Sequence, residues 1–484
     1  MTSDEKHAKP TDIGEATAPA PRSSADHGRS EIDRIRSAIE DHAMRPPQIL
    51  LVLIAVAINA MDGFDILAIS FVATSLTREW GLDPEELGLL FSAGLFGMAI
   101  GGLVISGVVD LVGRRAAVVL CLSMLAGGMF LSAVAPSLHL FAVSRILTGA
   151  GAGGMYTATS TLVFEYSSKN RRETSIGCVI LGYSLGTVIG GAISVFLLEH
   201  FGWRSIFLFG GALGLIFIPI VLWKVPESLE FLMSRQPRNA LSRINRILVR
   251  LDVQPMSALP PPQRTSASRS LKGGPLDLFK ADILPIAIPV ILAKFLFMIS
   301  QYFILNWTPK LMTEAGFSEA GGISFSIALS IGGMTGSGLV GFATARWGVR
   351  PVGITMTLLA SASIFAFGLM PPEPVLLAAV LFVAGASIFA ASTCVFTVSA
   401  AALPVHVRGT GVGLAGGAGR LGSMLGAYMG GLLLSVGFER WGLCAVLAIP
   451  AAVVALLVHY IALIDRRRSG GGAPPLTQSA ATQS

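Results

Sequence analysis

Two carboxylates lie in the middle of a long apolar stretch near the start of the chain. Asp62 and Asp65 belong to the segment Asn-Ala-Met-Asp-Gly-Phe-Asp that begins at Asn59, and the apolar residues around it extend from about Gln48 to Thr74. A stretch of this length is sufficient for a helix to cross a bilayer. A carboxylate at the centre of a membrane helix costs about 2.5–3.5 kcal/mol, and residues spaced i,i+3 share one helix face. The pair therefore predicts either a polar cavity beside this helix or no membrane helix at all.

The composition decides between these alternatives. Hydrophobic residues make up 52% of the chain and charged residues 13%, whereas a soluble domain has about 25% charged residues. The 55 glycines suit helices that pack closely in a bilayer. The apolar runs are continuous and do not alternate with polar residues as in a membrane β-barrel. The sequence thus predicts an all-α polytopic membrane protein.

The apolar runs divide the chain into twelve predicted spans. These are 48–74, 86–109, 116–135, 138–162, 174–198, 204–223, 282–308, 321–343, 351–370, 375–400, 409–435 and 441–464. The predicted organisation is an N-terminal tail (1–47), a six-helix bundle (48–223), a polar linker (224–281), a second six-helix bundle (282–464) and a C-terminal tail (465–484). The basic residues concentrate in the even-numbered connections, which places both tails and the linker in the cytoplasm.

Two polar segments carry further expectations. Residues 29–44 are compatible with a short amphipathic helix that has Ile32, Ile35 and Ile39 on one face, or with a solvated tail. Residues 257–275 are rich in Pro, Ser and Gly and are expected to be flexible.

The two predicted bundles share an internal repeat. The segment from Gly81 to Gly113 recurs from Gly316 to Gly348. Repeats in membrane proteins are typical of transporters that work by alternating access and bind substrate near the midplane, between the halves. The predicted architecture is therefore two pseudo-symmetric six-helix bundles.

Residues that break the repeat are the candidates for chemistry. The second half has no carboxylates at the positions that match Asp62 and Asp65, and it has Lys294 where the first half has Asn59. Arg420, in the eleventh span, has no charged counterpart in the first half. The first half therefore supplies acid to the shared cavity, and the second half supplies base.

This asymmetry suggests proton-coupled binding of an anion. Removing a carboxylate from water favours its neutral form, so Asp62 or Asp65 could take up and release a proton. Arg420 or Lys294 could bind an anionic substrate, because a guanidinium donates two parallel hydrogen bonds to a carboxylate. The alternatives are that Arg420 only neutralises one of the aspartates and that Lys294 extends to the membrane surface.

The seventh span carries four polar or amphipathic side chains at helical spacing that could line a site for an aromatic ring: Gln301, Tyr302, Asn306 and Trp307. Trp307 could instead belong to the belt of aromatic residues at a membrane interface. Together with Asn59, Lys294 and Arg420, they form the predicted substrate-binding set.

The connection after the second span contains Asp110, Gly113, Arg114 and Arg115. This pattern resembles the cytoplasmic gate signature of the major facilitator superfamily. In that family the acid packs against the electropositive start of the eleventh helix. This chain departs from the pattern in having Ser106 where glycine is usual, and its second copy lacks the acid. The resemblance implies a set of gating residues: Asp110, Gly113, Arg114, Arg115, Arg145, Glu165, Arg346, Gly348, Arg350 and Arg408.

The fourth span also resembles that superfamily, through Arg145 and the glycines that follow it. The resemblance suggests that Glu165 completes a charge cluster with Asp110 or Arg145. The alternative is that Arg145 pairs within its own bundle.

Within the superfamily, three features resemble the aromatic acid:proton symporter family. They are the Asp-Gly-Phe-Asp segment at 62–65, the Gly-Arg-Leu-Gly segment at 419–422 and the region from Tyr302 to Pro309. Members of that family import benzoate-type carboxylates together with protons. The resemblance implies that Asp62 and Asp65 are the proton-coupling residues.

The leading hypothesis from the sequence is a proton-coupled importer of an aromatic carboxylate in a bacterial-type inner membrane, functional as a monomer. The alternatives are a carrier of another organic acid or acidic sugar, and a non-transporting sensor with the same fold. No nucleophile–base pair, metal-ligand spacing or disulfide framework is apparent, so we expect no enzymatic activity, cofactor or metal. The net charge of +6 reflects loop residues, and we expect no nucleic-acid partner.

Overall fold

The protein is almost entirely helical. The structure, a computed structural model, describes residues 34–35, 37–259, 278, 280 and 283–469, without the side chains of residues 106, 110 and 465–469. The helices are α1 Pro46–Phe71, α2 Ala73–Trp80, α3 Pro84–Val112, α4 Arg114–Val134, α5 Leu138–Tyr166, α6 Arg172–Phe201, α7 Arg204–Lys224, α8 Leu229–Arg235, α9 Ala240–Arg250, α10 Leu284–Glu314, α11 Glu319–Trp347, α12 Val349–Leu369, α13 Pro374–Ala402, α14 Val405–Ser435 and α15 Arg440–Ser469.

Twelve of these helices, α1, α3–α7 and α10–α15, correspond to the twelve predicted spans. Ten helices in the described part of the chain are long and apolar enough to cross a membrane. The two spans that are not among the ten are α5, with one arginine, and α14, with two, and both carry many glycines. This composition suits helices surrounded by protein more than by lipid. The prediction of an all-α polytopic membrane protein is confirmed.

The internal repeat is visible in the backbone. Gly113 and Gly348 end α3 and α11 with φ of 100° and 86°, a region that favours glycine because it has no Cβ. Two further glycine pairs at the same spacing also have positive φ: Gly81 with Gly316, and Gly202 with Gly437. The two halves therefore turn at equivalent positions.

Equivalent helices also pack closely in each half. Gly186 of α6 lies against the backbone of Ala60 in α1, and Gly422 of α14 lies against Phe295 in α10. A side chain at either glycine would overlap the neighbouring helix, so the backbones approach closely there. The tight pairs α1–α6 and α10–α14 carry most of the candidate site residues.

Two seams join the halves, one between α3 and α14 and the other between α6 and α11. We call the side that carries the linker helices α8 and α9 the linker face, and the other side the opposite face. Near the opposite face, hydrogen bonds between side chains join the halves. Among the described residues these are Ser70 to Asn306 (3.1 Å), Thr74 with Thr313 (2.8 Å), Ser75 to Glu319 (2.5 Å) and Tyr428 to Glu85 (2.6 Å).

The first seam is open towards the linker face. Gly413 and Gly416 lie on the same face of α14 as Arg420, because their spacing follows the helical repeat. Both glycines are exposed, and no described atom of another helix lies within 4 Å of the position that a Cβ would take at either. Farther along the same helix, Gly431 lies against the backbone of Pro84 in α3. The central space therefore opens towards the linker face.

The N-terminal segment is folded against the linker face. Residues 34–35 and 37–40 are helical, and Ile35 and Ile39 are both buried. Over these residues the structure agrees with the amphipathic helix and not with the solvated tail, while Ile32 lies outside the described residues. The flexible stretch predicted at 257–275 lies almost entirely outside them as well.

Candidate functional site

Asp65 and Arg145 form an ion pair inside the first half. Arg145 Nη2 of α5 lies 2.5 Å from Asp65 Oδ1 of α1, and both side chains are almost completely buried. The same guanidinium nitrogen also donates to Thr148. Burying two charges is tolerated when they are paired and hydrogen-bonded. Asp65 therefore has its own counter-ion within the bundle, in agreement with the alternative in which Arg145 pairs there.

This position corrects the prediction that Arg145 belongs to the gate with Glu165. From residue 145 to residue 165 the helix α5 rises about 30 Å, so the two charges lie near opposite ends of one span. Glu165 instead lies 3.7 Å from Arg114 at the linker face. The other predicted partner of Glu165, Asp110, has no described side chain.

Asp62 differs from Asp65 in having no cation within 4.0 Å among the described residues. Its side chain is buried, yet Oδ1 has no hydrogen-bond partner in the described structure. Its electrostatic neighbours are Asp65 on its own helix, Tyr183 of α6, Tyr302 of α10 and Arg420 of α14. Asp62 thus lies where helices of both halves come together.

Arg420 is half-buried beside this centre. Its Nη1 donates to the backbone carbonyl of Met98 in α3, at 3.1 Å across the first seam. Among the described residues it has no carboxylate within 4.0 Å, so the alternative in which Arg420 forms a buried ion pair with an aspartate is wrong for this conformation. Arg145 neutralises Asp65 instead. The guanidinium keeps donors that an anion could use.

Lys294 lies beside Arg420 on the neighbouring helix. A Cβ at Gly419 would lie 3.0 Å from Lys294 Cγ, which places the lysine stem against the residue that precedes Arg420. The side chain is half-buried, and its ammonium has no acceptor in the described part of the chain. Lys294 follows the start of α10 by about 15 Å, which argues against extension to the membrane surface. The second half therefore presents two cations side by side.

The polar side chains of the seventh span, α10, have different roles. Gln301 is buried, with its Oε1 unpartnered among the described residues, and Tyr302 is half-buried near Asp62 and Arg420. Asn306 accepts a hydrogen bond from Ser70 across the halves. It lines a cavity of about 20 Å³ together with Asp65 and Arg145, which is enough for one water molecule.

Two predicted binding residues instead contribute to the packing of the protein interior. Trp307 is fully buried, donates its indole N–H to Ala427 O at 2.8 Å and meets the Phe91 ring edge to face at 5.2 Å. It neither lines the central space nor belongs to an interfacial belt. Asn59 donates to Ala55 O and to Thr159 Oγ1 within the first half. Both assignments are corrected for the same reason: their polar groups already have partners inside the protein.

The predicted gate residues lie at the linker face, apart from Arg145. Gly113 and Gly348 form the turns after α3 and α11. Arg346 lies over the Trp347 ring at 6.0 Å, and Arg408 donates to Leu403 O at 3.4 Å within its own half. Arg350 takes part in an interaction. The predicted contact between Asp110 and the start of α14 stays a prediction.

Two residues with no predicted role complete these regions. Tyr183 stands next to Ser184, the repeat counterpart of Arg420, and that adjacency was the signal that could have revealed it. Glu227 is buried at the linker face and accepts hydrogen bonds from the backbone N–H groups of Arg115 (3.0 Å) and Ser228 (2.9 Å). It fixes the turn that carries the predicted gate arginines.

The fold and this split site define a membrane transporter with two pseudo-symmetric halves. The family model of the Major Facilitator Superfamily matches residues 52–426 and 290–482, and the chain belongs to that superfamily. It is therefore a transporter and not an enzyme. The inward-open xylose transporter XylE from E. coli has the same fold, with a TM-score of 0.67 at 18% identity over 85% of this chain and 96% of that chain.

The relatives of the chain include transporters of aromatic acids. The chain is 32% identical to the 4-hydroxybenzoate transporter PcaK of Acinetobacter baylyi, over 90% of this chain and 95% of the relative. It is 29% identical to the gallate transporter of Pseudomonas putida, over 88% and 94%, and 26% identical to the benzoate transport protein of Acinetobacter baylyi, over 90% and 93%. The resemblance to the aromatic acid transporter family that the sequence motifs indicate is confirmed.

Proposed function

We propose that the protein imports an aromatic carboxylate together with a proton by alternating access, as a monomer in a bacterial-type inner membrane. In this proposal the linker face is cytoplasmic, as the distribution of basic residues predicts. The relatives named for 4-hydroxybenzoate, gallate and benzoate support the substrate class. The location of acid in one half and base in the other supports a site shared between the halves.

The observation that carries the proposal is the difference between the two aspartates. Asp65 is held by Arg145 at 2.5 Å, whereas a buried oxygen of Asp62 has no hydrogen-bond partner among the described residues. A carboxyl group without a fixed counter-ion can bind and release a proton without breaking an ion pair. We therefore assign the transported proton to Asp62 and a structural role to Asp65.

The substrate carboxylate is proposed to bind to Arg420 and Lys294, whose donors have no carboxylate partner in the described structure. The aromatic ring would lie between Tyr183 and Tyr302, since aromatic pairs favour stacked or edge-to-face contact. Protonated Asp62 adds no negative charge to the site, so the anion can enter and the halves can close around it. Release of the proton and the aromatic carboxylate at the linker face completes the cycle.

The first experiment separates proton coupling from substrate binding. Purified protein is reconstituted in proteoliposomes with labelled 4-hydroxybenzoate, and both accumulation driven by a pH gradient and exchange at equal pH are measured. Asp62→Asn is expected to reduce gradient-driven accumulation to background while exchange continues, because the neutral amide mimics the protonated acid. Accumulation at the wild-type level in this variant would refute the assignment of the proton to Asp62.

Asp65→Asn serves as the matched comparison. It leaves the Arg145 guanidinium buried without a counter-ion, which costs about 3–5 kcal/mol. We expect a lower thermal unfolding temperature of the purified protein, and partial recovery in the double variant Asp65→Asn/Arg145→Gln. If Asp65→Asn were as stable as the wild type and lost only proton coupling, the roles of the two aspartates would be reversed.

A second experiment tests recognition of the carboxylate. Arg420→Ala is expected to weaken binding of 4-hydroxybenzoate far more than binding of its neutral amide, because only the acid uses the guanidinium as a charge partner. Equal losses for both ligands would assign Arg420 to the scaffold. The same assay with aliphatic acids and acidic sugars distinguishes the alternative substrate classes.

A further inference from the structure

A cavity of about 640 Å³ lies at the linker face, away from the central site. It is lined by residues 41–44 of the N-terminal segment, the first turns of α1, the connection between α5 and α6, and the start of α6. Its deepest residue on α1 is Val56, which lies about 9 Å along the helix axis from Asp62. The transport cycle described above uses none of these residues.

One end of the cavity is polar, and one of its hydroxyl groups has no hydrogen-bond partner among the described residues. Ser168 is 2% exposed, and its Oγ has no hydrogen-bond partner in the described structure. A buried hydroxyl without a partner costs free energy, and this one belongs to a residue that lines the cavity. Arg171 and Asn170 line the same end and are exposed. Together they offer a hydroxyl, an amide and a cation to an anionic group.

The other end of the cavity is apolar. Ile49 and Leu53 line it and are 46% and 58% exposed, and Val52 adds to the same wall. These residues follow directly after Pro46, where α1 begins. The wall therefore starts at the level where the membrane-spanning helix leaves the aqueous phase.

The N-terminal segment forms the floor of the cavity and is tethered there. Glu40 accepts a hydrogen bond from Arg172 at 2.8 Å, and its carbonyl accepts one from the Lys169 N–H, also at 2.8 Å. Two more titratable side chains of this segment, Asp41 and His42, line the cavity. The floor therefore contributes a carboxylate as well as an imidazole, and the site as a whole carries charges of both signs.

We propose that this cavity binds a phospholipid of the adjacent leaflet. The phosphate lies against Arg171 and the Ser168 hydroxyl, and one acyl chain runs along Ile49 and Leu53. A phosphodiester supplies acceptor oxygens for the unpartnered hydroxyl and the guanidinium. The apolar wall provides a surface against which the acyl chain is removed from water. The site is independent of the proposed transport function.

Cys178 provides a direct test, because it lines the cavity and is half-buried, while Cys121, Cys394 and Cys444 are buried. Detergent-purified full-length protein is labelled with N-ethylmaleimide, and the modified cysteine is identified by mass spectrometry. Dihexanoyl phosphatidylglycerol is expected to slow labelling of Cys178 at least tenfold. Dihexanoylglycerol, which lacks the phosphate, is expected to protect much less.

Two substitutions complete the test. Arg171→Gln is expected to abolish the phosphate-dependent protection, whereas Lys169→Gln, at an exposed cation in the same connection that does not line the cavity, is expected to preserve it. Equal protection by the phosphate-free lipid would reduce the cavity to a hydrophobic crevice and overturn the proposal. Protection by 4-hydroxybenzoate alone would also overturn it, since the cavity would then be part of the substrate exit.

Discussion

The two ends of the first seam differ in how the halves meet. Near the opposite face, α3 and α14 are in backbone contact at Gly431, and Tyr428 donates a hydrogen bond to Glu85 across them. Towards the linker face, Gly413 and Gly416 of the same helix are exposed and have no described atom of another helix within 4 Å of the position that a methyl group would take. One pair of helices thus closes the protein at one end and leaves it open at the other.

This contrast indicates which contacts stabilise the present conformation relative to the state that is open at the opposite face. Packed interfaces tend to have discrete arrangements and do not deform continuously. The closed end combines close glycine packing with hydrogen bonds between the halves, so substitutions there change the balance between the two states. Substitutions at the open end leave this conformation undisturbed, and they act on the state in which that end is closed.

The largest effect is expected from Gly431→Ala. The added methyl group would lie 3.0 Å from the Pro84 carbonyl carbon and nearer still to its oxygen. Overpacking of this kind costs about 1–3 kcal/mol, which changes a two-state ratio by about 5- to 150-fold. Spin labels on the exposed residues Phe201 and Val436 are expected to report a longer distance, because the opposite face is forced apart.

Gly416→Ala is the matched control for this prediction. Both substitutions raise helix propensity by the same amount, but the added methyl at residue 416 has no described atom of another helix within 4 Å. We expect the distance between the labels not to lengthen, because crowding at residue 416 in the other state would favour the conformation described here. An equal change in both variants would mean that the effect comes from helix propensity and not from the seam.

An intermediate effect is expected at Glu319, which accepts a hydrogen bond from Ser75 at 2.5 Å and lies 3.4 Å from Arg78. The net contribution of one hydrogen bond is about 0.5–1.5 kcal/mol, whereas a pair with an exposed arginine contributes about 0–1 kcal/mol. Glu319→Ala and Ser75→Ala should therefore both open the opposite face, and Arg78→Ala should have little effect. The label distance measures all three variants, and a dominant effect of Arg78→Ala would contradict this ranking.

The smallest effect is expected at Glu79, which also lies at the opposite face but joins only residues of the first half. A hydrogen bond from Arg204, with a second from Trp203, holds the pKa of the Glu79 carboxyl below its usual value. A lowered pKa stabilises the folded state above the usual pKa, and this contribution is lost as the pH falls through the lowered value. Both partners are more than one-third exposed, so solvent limits the contribution to about 0.2–1 kcal/mol.

Glu79→Gln should therefore lower the thermal unfolding temperature slightly at pH 7, and the difference from the wild type should shrink as the pH falls below about 4. The label distance should not change, because the interaction does not cross the seam. A shift of that distance in Glu79→Gln would show that contacts within one half also control the opening.

Some features follow from local pattern and were therefore predictable from the sequence. Continuous apolar runs predict the twelve spans, because in lipid the backbone must bond within each segment. The repeat from Gly81 to Gly113 predicts matching turns, since a positive φ favours glycine wherever it occurs. Asp62, Asp65 and Arg420 could be identified as charges that occur in one half only. A charge within an apolar helix is costly to bury, and this cost can be recognised without knowing its neighbours in space.

The partners of those charges were decided only by the tertiary structure. Two aspartates one turn apart look equivalent along the chain, yet Arg145 of a different helix pairs with Asp65 and leaves an oxygen of Asp62 free. Trp307 and Asn59 have the right chemistry for a binding site, but helix packing directs their polar groups into the protein. Sequence determines which residues are costly to bury, whereas the packing of distant helices determines which of them receive a partner.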